Sequence, residues 1–341
     1  MLSPANCHRA WLAFVSCASL ALLPLGLLTP VGGPTPARAQ TPPVQAPAQA
    51  VAQNVGGEEA LAAGGLVLVA NGDVRIESQD VTISAARIRI VQVMRNTADR
   101  DVNLLVSFPL PEIDTAWIWE LPPLLPRSGD DNFVEASTTA DGEPVHPRLD
   151  QRAIALGLDV TDSLRDYKIA LFPYASGVLD KIARLPSGVK DDLIARGVLK
   201  ANNQGLMPAW VLRSTIHWRQ RFAAGRQITL AHSYRPVVGR PTGALAPFEK
   251  SACLDAAEAR RLEGSAGGNK PARLTSVAFL ATAGAAWSEP IGRFKLTVEK
   301  STPATTVVTC RAGLAVVSPL MLEWNARDHA HEDDLTILFV E

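Results

Sequence analysis

The chain has 341 residues, 47% of them hydrophobic and 20% charged, with 33 basic against 34 acidic side chains and a net charge of −1. Nothing in that balance suggests a nucleic-acid or polybasic membrane partner. The length suffices for one large β-rich unit or two modest domains, each with a real core and no need of a disulfide scaffold.

Residues 1–39 read as an export signal. His8 and Arg9 open a short polar head, Ala10 to Leu28 is almost wholly apolar, and Ala37-Arg38-Ala39 sets small residues ahead of Gln40. Ser16, Ser19, Pro24 and Gly26 interrupt the apolar run, which argues against a retained membrane anchor. Cleavage after Ala39 is therefore expected, leaving a periplasmic or fully secreted chain. Without Arg9 and Arg38 the mature protein carries 31 basic and 34 acidic residues, a net charge of −3. No later apolar stretch approaches spanning length, so no transmembrane segment is expected in it. Cys7 and Cys17 leave with the signal. Cys253 and Cys310 then stand alone in an oxidising compartment and are expected to form one disulfide.

Residues 40–56, rich in Pro, Ala and Gln, lack the apolar period that would offset the entropy of ordering and read as a disordered spacer. Residues 57–152 carry short strand patterns with turn signals between them. Leu66 to Ala70 and Asp73 to Glu77 flank Asn71-Gly72, the mark of a tight hairpin. Val81 to Ile83, Arg87 to Arg95 and Val102 to Phe108 continue as strands. Within Arg87 to Arg95 the apolar positions change parity, from Ile88 and Ile90 to Val91 and Val93, which a bulge or cover on both faces would explain. Asp141-Gly142 is a second hairpin signal, with Pro144 confining the return strand to an edge.

Residues 153–207 read as a helical insertion. Val178, Ile182 and Leu185 recur at helical spacing; Ser187 offers a cap for a second helix that holds Val189 and Leu193 and ends at Gly197. Residues 208–341 return to strand period. Trp210 to Phe222 and Gln227 to Tyr234 read as a long hairpin about Ala223-Ala224-Gly225-Arg226, followed by a helix over Ser251 to Leu262 that carries Cys253. Phe294, Leu296 and Val298 alternate, and Val307 to Cys310, Leu320 to Trp324 and Leu335 to Val340 complete the pattern. The fold class expected is mainly β, antiparallel and sandwich-like, with a small helical part.

The densest polar cluster is His329 to Asp334. An extended chain would turn His329, His331 and Asp333 to one side, a ligand set that a transition metal accepts, although a solvated turn before the last strand explains the same residues. Arg213, His217, Arg219 and Arg221 share the strand face opposite Leu212 and Trp218, a basic strip suited to an anionic glycan or acidic partner, or simply to keeping the surface soluble. His232 falls with Leu230 and Tyr234 and reads as a satisfied, partly buried histidine. Ser187-Gly188-Val189-Lys190 matches Ser-x-x-Lys without its companion motifs, and Gly264-Ser265-Ala266-Gly267 lacks the first glycine of a nucleophile elbow. Trp117 and Trp119 suit core packing or an exposed contact.

The order of motifs from about Gly57 onward resembles the secreted bacterial proteins grouped as domain of unknown function 4424. The likeness rests on Gly64-Gly65-Leu66, Arg95-Asn96 before Phe108-Pro109-Leu110-Pro111, and Gln151-Arg152-Ala153 with Asp159-Val160-Thr161. It continues in Tyr234-Arg235-Pro236-Val237 and in Trp287 before Pro290-Ile291-Gly292. The resemblance implies export, a shared fold and a pair of cysteines where Cys253 and Cys310 stand; it implies no activity. The Asn96 to Pro111 stretch also resembles the sandwich modules of vault and inter-alpha-trypsin type, which bears on fold alone.

These readings favour a non-catalytic binding or assembly module of the cell envelope, with an envelope protein or glycan as partner and no cofactor. The alternatives are a hydrolase of envelope polymers, built from residues such as His217, Asp255 or His329, and a periplasmic metal-binding protein using the C-terminal cluster.

Overall fold

The computed structural model describes residues 60–68, 72–115, 125–127, 129–241, 245, 248, 250–265, 273–281, 289–330 and 334–341. The signal, the spacer, Trp117, Trp119, Trp287, His331 and Asp333 lie outside these residues.

In chain order, β1 (Ala63–Gly64) and β2 (Val67–Leu68) are short, and β3 (Val74–Ile83), β4 (Ile88–Asn96) and β5 (Val102–Pro109) are long. After β6 (Ile113–Asp114) come β7 (Ser137–Ala140), β8 (Glu143–Pro144), β9 (Arg148–Ala155) and β10 (Leu158–Asp159). Three short helices follow: α1 (Thr161–Asp166), α2 (Val178–Ala183) and α3 (Ser187–Ala195). The hairpin β11 (Leu199–Asn202) with β12 (Gly205–Pro208) leads to β13 (Val211–Phe222) and β14 (Gln227–Tyr234). Helix α4 (Ala256–Ser265) precedes β15 (Leu274–Leu280) and β16 (Ile291–Glu299). The chain then runs through β17 (Thr306–Thr309), β18 (Ala315–Ser318), β19 (Met321–His329) and β20 (Leu335–Val340).

An eight-stranded sheet in the order β18-β19-β16-β3-β4-β14-β7-β8 is the spine of the fold. A six-stranded sheet, β10-β9-β13-β5-β2 with β6 beside β13, meets its inner face, where Phe108 of β5 touches His232 and Tyr234 of β14. A four-stranded sheet, β1-β15-β20-β17, contributes Phe279, Ile337 and Phe339 to the same core. Its opposite face packs Leu338 and Val340 against Phe248, Ala259 and Leu262 in a second, smaller core around α4. Both faces of β20 are thus covered, which is why its sequence is apolar without alternation. The fold is mostly β as expected, and pairing is antiparallel except in β3 with β16 and β1 with β15. Gln49–Glu341 form one compact unit, and strands from residues 57–152 and 208–341 interleave in the eight-stranded sheet.

Two expected hairpins are not hairpins. Strand β2 pairs with β5, whereas β3 pairs with β4 and β16, so the turn at Gly72 carries the chain from one sheet to another. Likewise β13 pairs with β5 and β9 while β14 pairs with β4 and β7. The apolar stripes Leu212, Ile216 and Trp218 and Leu230 and Tyr234 therefore meet across the core instead of lying side by side. Turn residues signal a chain reversal, and burial then selects the partner. The Asp141-Gly142 hairpin does form, with φ of 50° and 89° at its two corners, and β8 with Pro144 is a sheet edge.

The parity change belongs to β3 and not to β4. In β4 the even residues Ile88, Ile90, Gln92, Met94 and Asn96 are all buried, whereas β3 buries Val74 and Ile76, then Gln79, Val81 and Ile83. Glu77 is the extra residue between them, where the β3–β4 register shifts. Its carboxylate holds Arg95 at 2.5 Å and also Arg75 and Gln227, and the hydrogen bond from Arg95 keeps its pKa below the usual carboxylate value. The bulge needs Gly292 beside it, since a Cβ there would lie 2.8 Å from the Glu77 carbonyl oxygen. Gly292→Ala should cost about 2 kcal/mol, within the usual range for forced contacts. Urea unfolding checks this, and a loss below about 0.5 kcal/mol would mean the bulge yields without strain.

The helical details also differ. Helix α3 has Pro186 at its N-cap with no side-chain cap bond, so Ser187 is its first residue and not its cap. Helix α4 begins after Cys253, because Asp255 Oδ1 accepts hydrogen bonds from the Ala257 and Glu258 amides at 2.8 and 2.7 Å and starts the helix there.

Candidate functional site

Cross-strand partners on one side of a ladder share a face, and the inner face of the eight-stranded sheet can be read from its register. Gln92 of β4 stands opposite Gln79 of β3, and Gln79 stands opposite Phe294 of β16. This row of the sheet places two amides among apolar neighbours. Gln92 is 4% exposed and Gln79 7%. Gln92 Nε2 donates to Gln79 Oε1 at 2.7 Å, and Gln92 Oε1 has no partner.

Asp328 has a φ of 47°, which bends β19 so that His329 joins the face already occupied by Trp324. The His329 ring, 9% exposed, packs on Phe294 with centroids 4.5 Å apart and edge-on to Trp324 at 5.3 Å. Arg311 lies over the outer side of this group, its guanidinium carbon 4.4 Å from the Trp324 ring centre. Between these side chains and the four-stranded sheet is a recess of about 30 Å³, lined by Gln79, Gln92, Ile90, Phe294, Leu296, Arg311 and His329 with Phe279 and Leu335 opposite. Its lining combines the two amides with the Phe279, Phe294 and His329 rings.

His329 is the one residue of the C-terminal cluster that this site uses. It ends β19 in a stacked, buried position, so the solvated-turn reading does not hold for it, while His331 and Asp333 lie outside the described residues. Among the described residues no three His, Cys, Asp or Glu side chains converge as a metal site. Arg213, His217, Arg219 and Arg221 do share the outward face of β13, away from the recess. Arg213 is held by Glu112 at 2.8 Å and Arg221 by Asp101 at 2.6 Å, so the strip is partly neutralised in place. Asp255 serves as a helix cap, and Lys190 Nζ donates to the Ala183 carbonyl and leaves Ser187 without a lysine partner. The residues named for a hydrolase thus sit on different elements.

His232 is more deeply buried than the sequence indicates. It is 2% exposed, its Nδ1 lies 2.8 Å from Thr138 Oγ1, and its Nε2 has no partner. Burial pushes its pKa down to about 3, against a smaller upward pull from a hydrogen bond with the Ser137 backbone. Gln79, Gln92, Phe294, Trp324 and Arg311 escaped the sequence reading as site residues. One signal was present: Gln92 has the parity of Ile88, Ile90 and Met94, and Gln79 that of Val81 and Ile83.

Cys253 and Cys310 form the expected disulfide, which joins the loop before α4 to the end of β17. The motif residues found in sequence turn out to fasten the sheets. Asn96 is fully buried, its Nδ2 donating to the Arg100 and Phe222 carbonyls and its Oδ1 accepting from the Ala98 amide. Thr161 Oγ1 accepts from the Ala153 amide, and Tyr234 Oη donates to the Ala63 carbonyl.

Residues 57–338 match the family described as "Domain of unknown function (DUF4424)". Nine solved chains match in structure. One is a crystal structure from Legionella pneumophila subsp. pneumophila str. Philadelphia 1, of a protein provisionally described as nutrient binding. It is 14% identical with a TM-score of 0.46, covering 82% of this chain and 71% of that one. At those values the likeness says nothing about a ligand for this chain. No curated protein matches. The family match spans nearly all of the β fold and contains each motif that fastens it, and the chain belongs to the DUF4424 family.

Proposed function

We propose that the protein is exported and acts as a non-catalytic binding module of the cell envelope, with the recess between the eight- and four-stranded sheets as its ligand seat. One observation carries this reading: a buried amide pair whose Gln92 Oε1 has no partner, set in the lining of an aromatic-walled recess. A buried polar atom left without a hydrogen bond costs about 1–3 kcal/mol, and two apolar side chains of the same shape would remove that cost. Such a feature is explained when something outside the chain completes the hydrogen bonding. Two of the residues named for a hydrolase have structural employment instead, Asp255 as the cap of α4 and His329 in a ring stack with Phe294 and Trp324.

The test starts with the tagged full-length gene product. It is expected in the osmotic-shock fraction, with an intact mass that begins at Gln40 and includes one disulfide. A cytoplasmic product that retains residues 1–39 would overturn the export part. Thermal unfolding of that material should then show a concentration-dependent rise in Tm with a component of envelope extract, since a ligand that binds only the folded state stabilises it by mass action. No shift with any fraction would overturn the binding part.

A further inference from the structure

We infer that the recess takes a hydroxyl group of a neutral saccharide. The inference rests on the binding reading above and names the class of ligand for the same seat.

The amide chemistry sets the first constraint. Each glutamine has one carbonyl and one NH2, and the single bond between Gln92 and Gln79 uses one of each. With that bond made, the Gln92 carbonyl oxygen has no partner, and the Gln79 NH2 makes no other hydrogen bond among the described residues; both side chains line the recess. A carboxylate could use only the NH2 and would leave the carbonyl oxygen buried and unpartnered. An ammonium could use only the carbonyl and would leave the NH2 group without an acceptor. A hydroxyl both donates and accepts, so it satisfies both groups at once.

Size and shape supply the second constraint. A space of about 30 Å³ admits a group of hydroxymethyl size but not a whole sugar ring. The bulk of the ligand must therefore lie outside it, past the Phe294 and His329 rings that line the recess. Aromatic faces pack well on the apolar C–H rim of a sugar ring while its hydroxyls reach polar groups alongside.

The probes are D-glucose, D-galactose, D-mannose and N-acetyl-D-glucosamine, each titrated into the disulfide-intact mature protein. Saturation-transfer NMR should show contact strongest at the exocyclic hydroxymethyl protons of at least one sugar, and the side-chain NH2 resonances of Gln79 and Gln92 should shift on titration. In Gln79→Met with Gln92→Met, affinity should fall about ten-fold or more, at least the worth of one hydrogen bond, while Tm stays level or rises. Absence of transfer from all four sugars, with a lower Tm in the double variant, would mean that the amides hold an ordered water only and would overturn the inference. A non-sugar component of the extract that shifts the same NH2 resonances would overturn the saccharide class and leave the binding reading standing. Sugar binding that survives the double substitution would remove the recess as its seat. The NH2 shifts need no variant, so the test stands even if the double variant fails to fold.

Discussion

Removal of the Cys253–Cys310 disulfide, by Cys253→Ser with Cys310→Ser, is expected to lower stability by about 4 kcal/mol in the chain-entropy account. The bond closes a loop with a sequence separation of 57 residues, so its loss releases a large set of unfolded conformations. Its position in the fold makes the effect hard to buffer. Cys253 lies in the segment between Phe248 and α4, and Cys310 follows β17, the edge strand of the four-stranded sheet. Between them is the small core of Phe248, Leu254, Ala259 and Leu262 against Val308, Leu338 and Val340, which has few residues to hold α4 without the tether. Thermal unfolding of the variant should show Tm lower by about 10 °C for a chain of this size, and dithiothreitol should reproduce that with the native chain. A fall below about 2 °C would show that the packing around α4 and not the covalent link sets its stability.

Acid is expected to destabilise the protein through His232 well before the carboxylates titrate. The folded-state pKa, about 3, lies below the value of 6.5 for the free side chain, because charging the ring between Phe108 and Tyr234 has no compensating solvent or carboxylate. For a depressed histidine the stabilising contribution is complete above pH 6.5 and is lost as pH falls toward 3, since the unfolded chain binds the proton first. Each pH unit in that window is worth about 1.4 kcal/mol, so the drop from pH 6.5 to pH 5 should remove about 2 kcal/mol. Glu77, Asp101 and Asp159 also have lowered pKa values, held down chiefly by Arg95, by the Ala224 amide and by Thr161. Their contributions are lost only at more acid pH, below the values of free carboxyls, which leaves the upper window to histidine. Urea midpoints across that window, for the native chain and His232→Leu, separate the causes. The variant should lose most of the slope between pH 6.5 and 5 even though it starts less stable. An equal slope in both proteins would mean that the ring gains a partner or water on protonation.

How far the site could be read from sequence follows from the kind of signal each residue leaves. Gln92 breaks an otherwise apolar stripe in β4, and that break is visible in one strand. Its pairing with Gln79 is not, because the partner's parity depends on the bulge at Glu77, and the bulge depends on Gly292 arriving from a strand more than two hundred residues away. His329 was visible as part of a polar cluster, but its turn into the aromatic group follows from the positive φ of Asp328 in a paired strand. Arg311 and Trp324 leave no local pattern at all; only β18 and β19 folding back bring the ring under the guanidinium.

The same division holds for the fold. Alternation and turn chemistry determined where most strands lie, that the class is mostly β, that Asp141-Gly142 closes a hairpin and that Cys253 joins Cys310. These are local or counting arguments, since a strand's period and a turn's φ angles are properties of a few neighbouring residues, and two cysteines have only one way to pair. The partner of each strand was decided by the tertiary structure. β13 and β14 are joined by a tight turn, but each buries its apolar stripe better by facing the other across the core than by lying beside it. The parallel pairing of β3 with β16, which brings Phe294 to the amide pair, has no local cause. It sets Leu296 and Val298 beside Val81 and Ile83 in one buried row, a gain that exists only once the chain has folded.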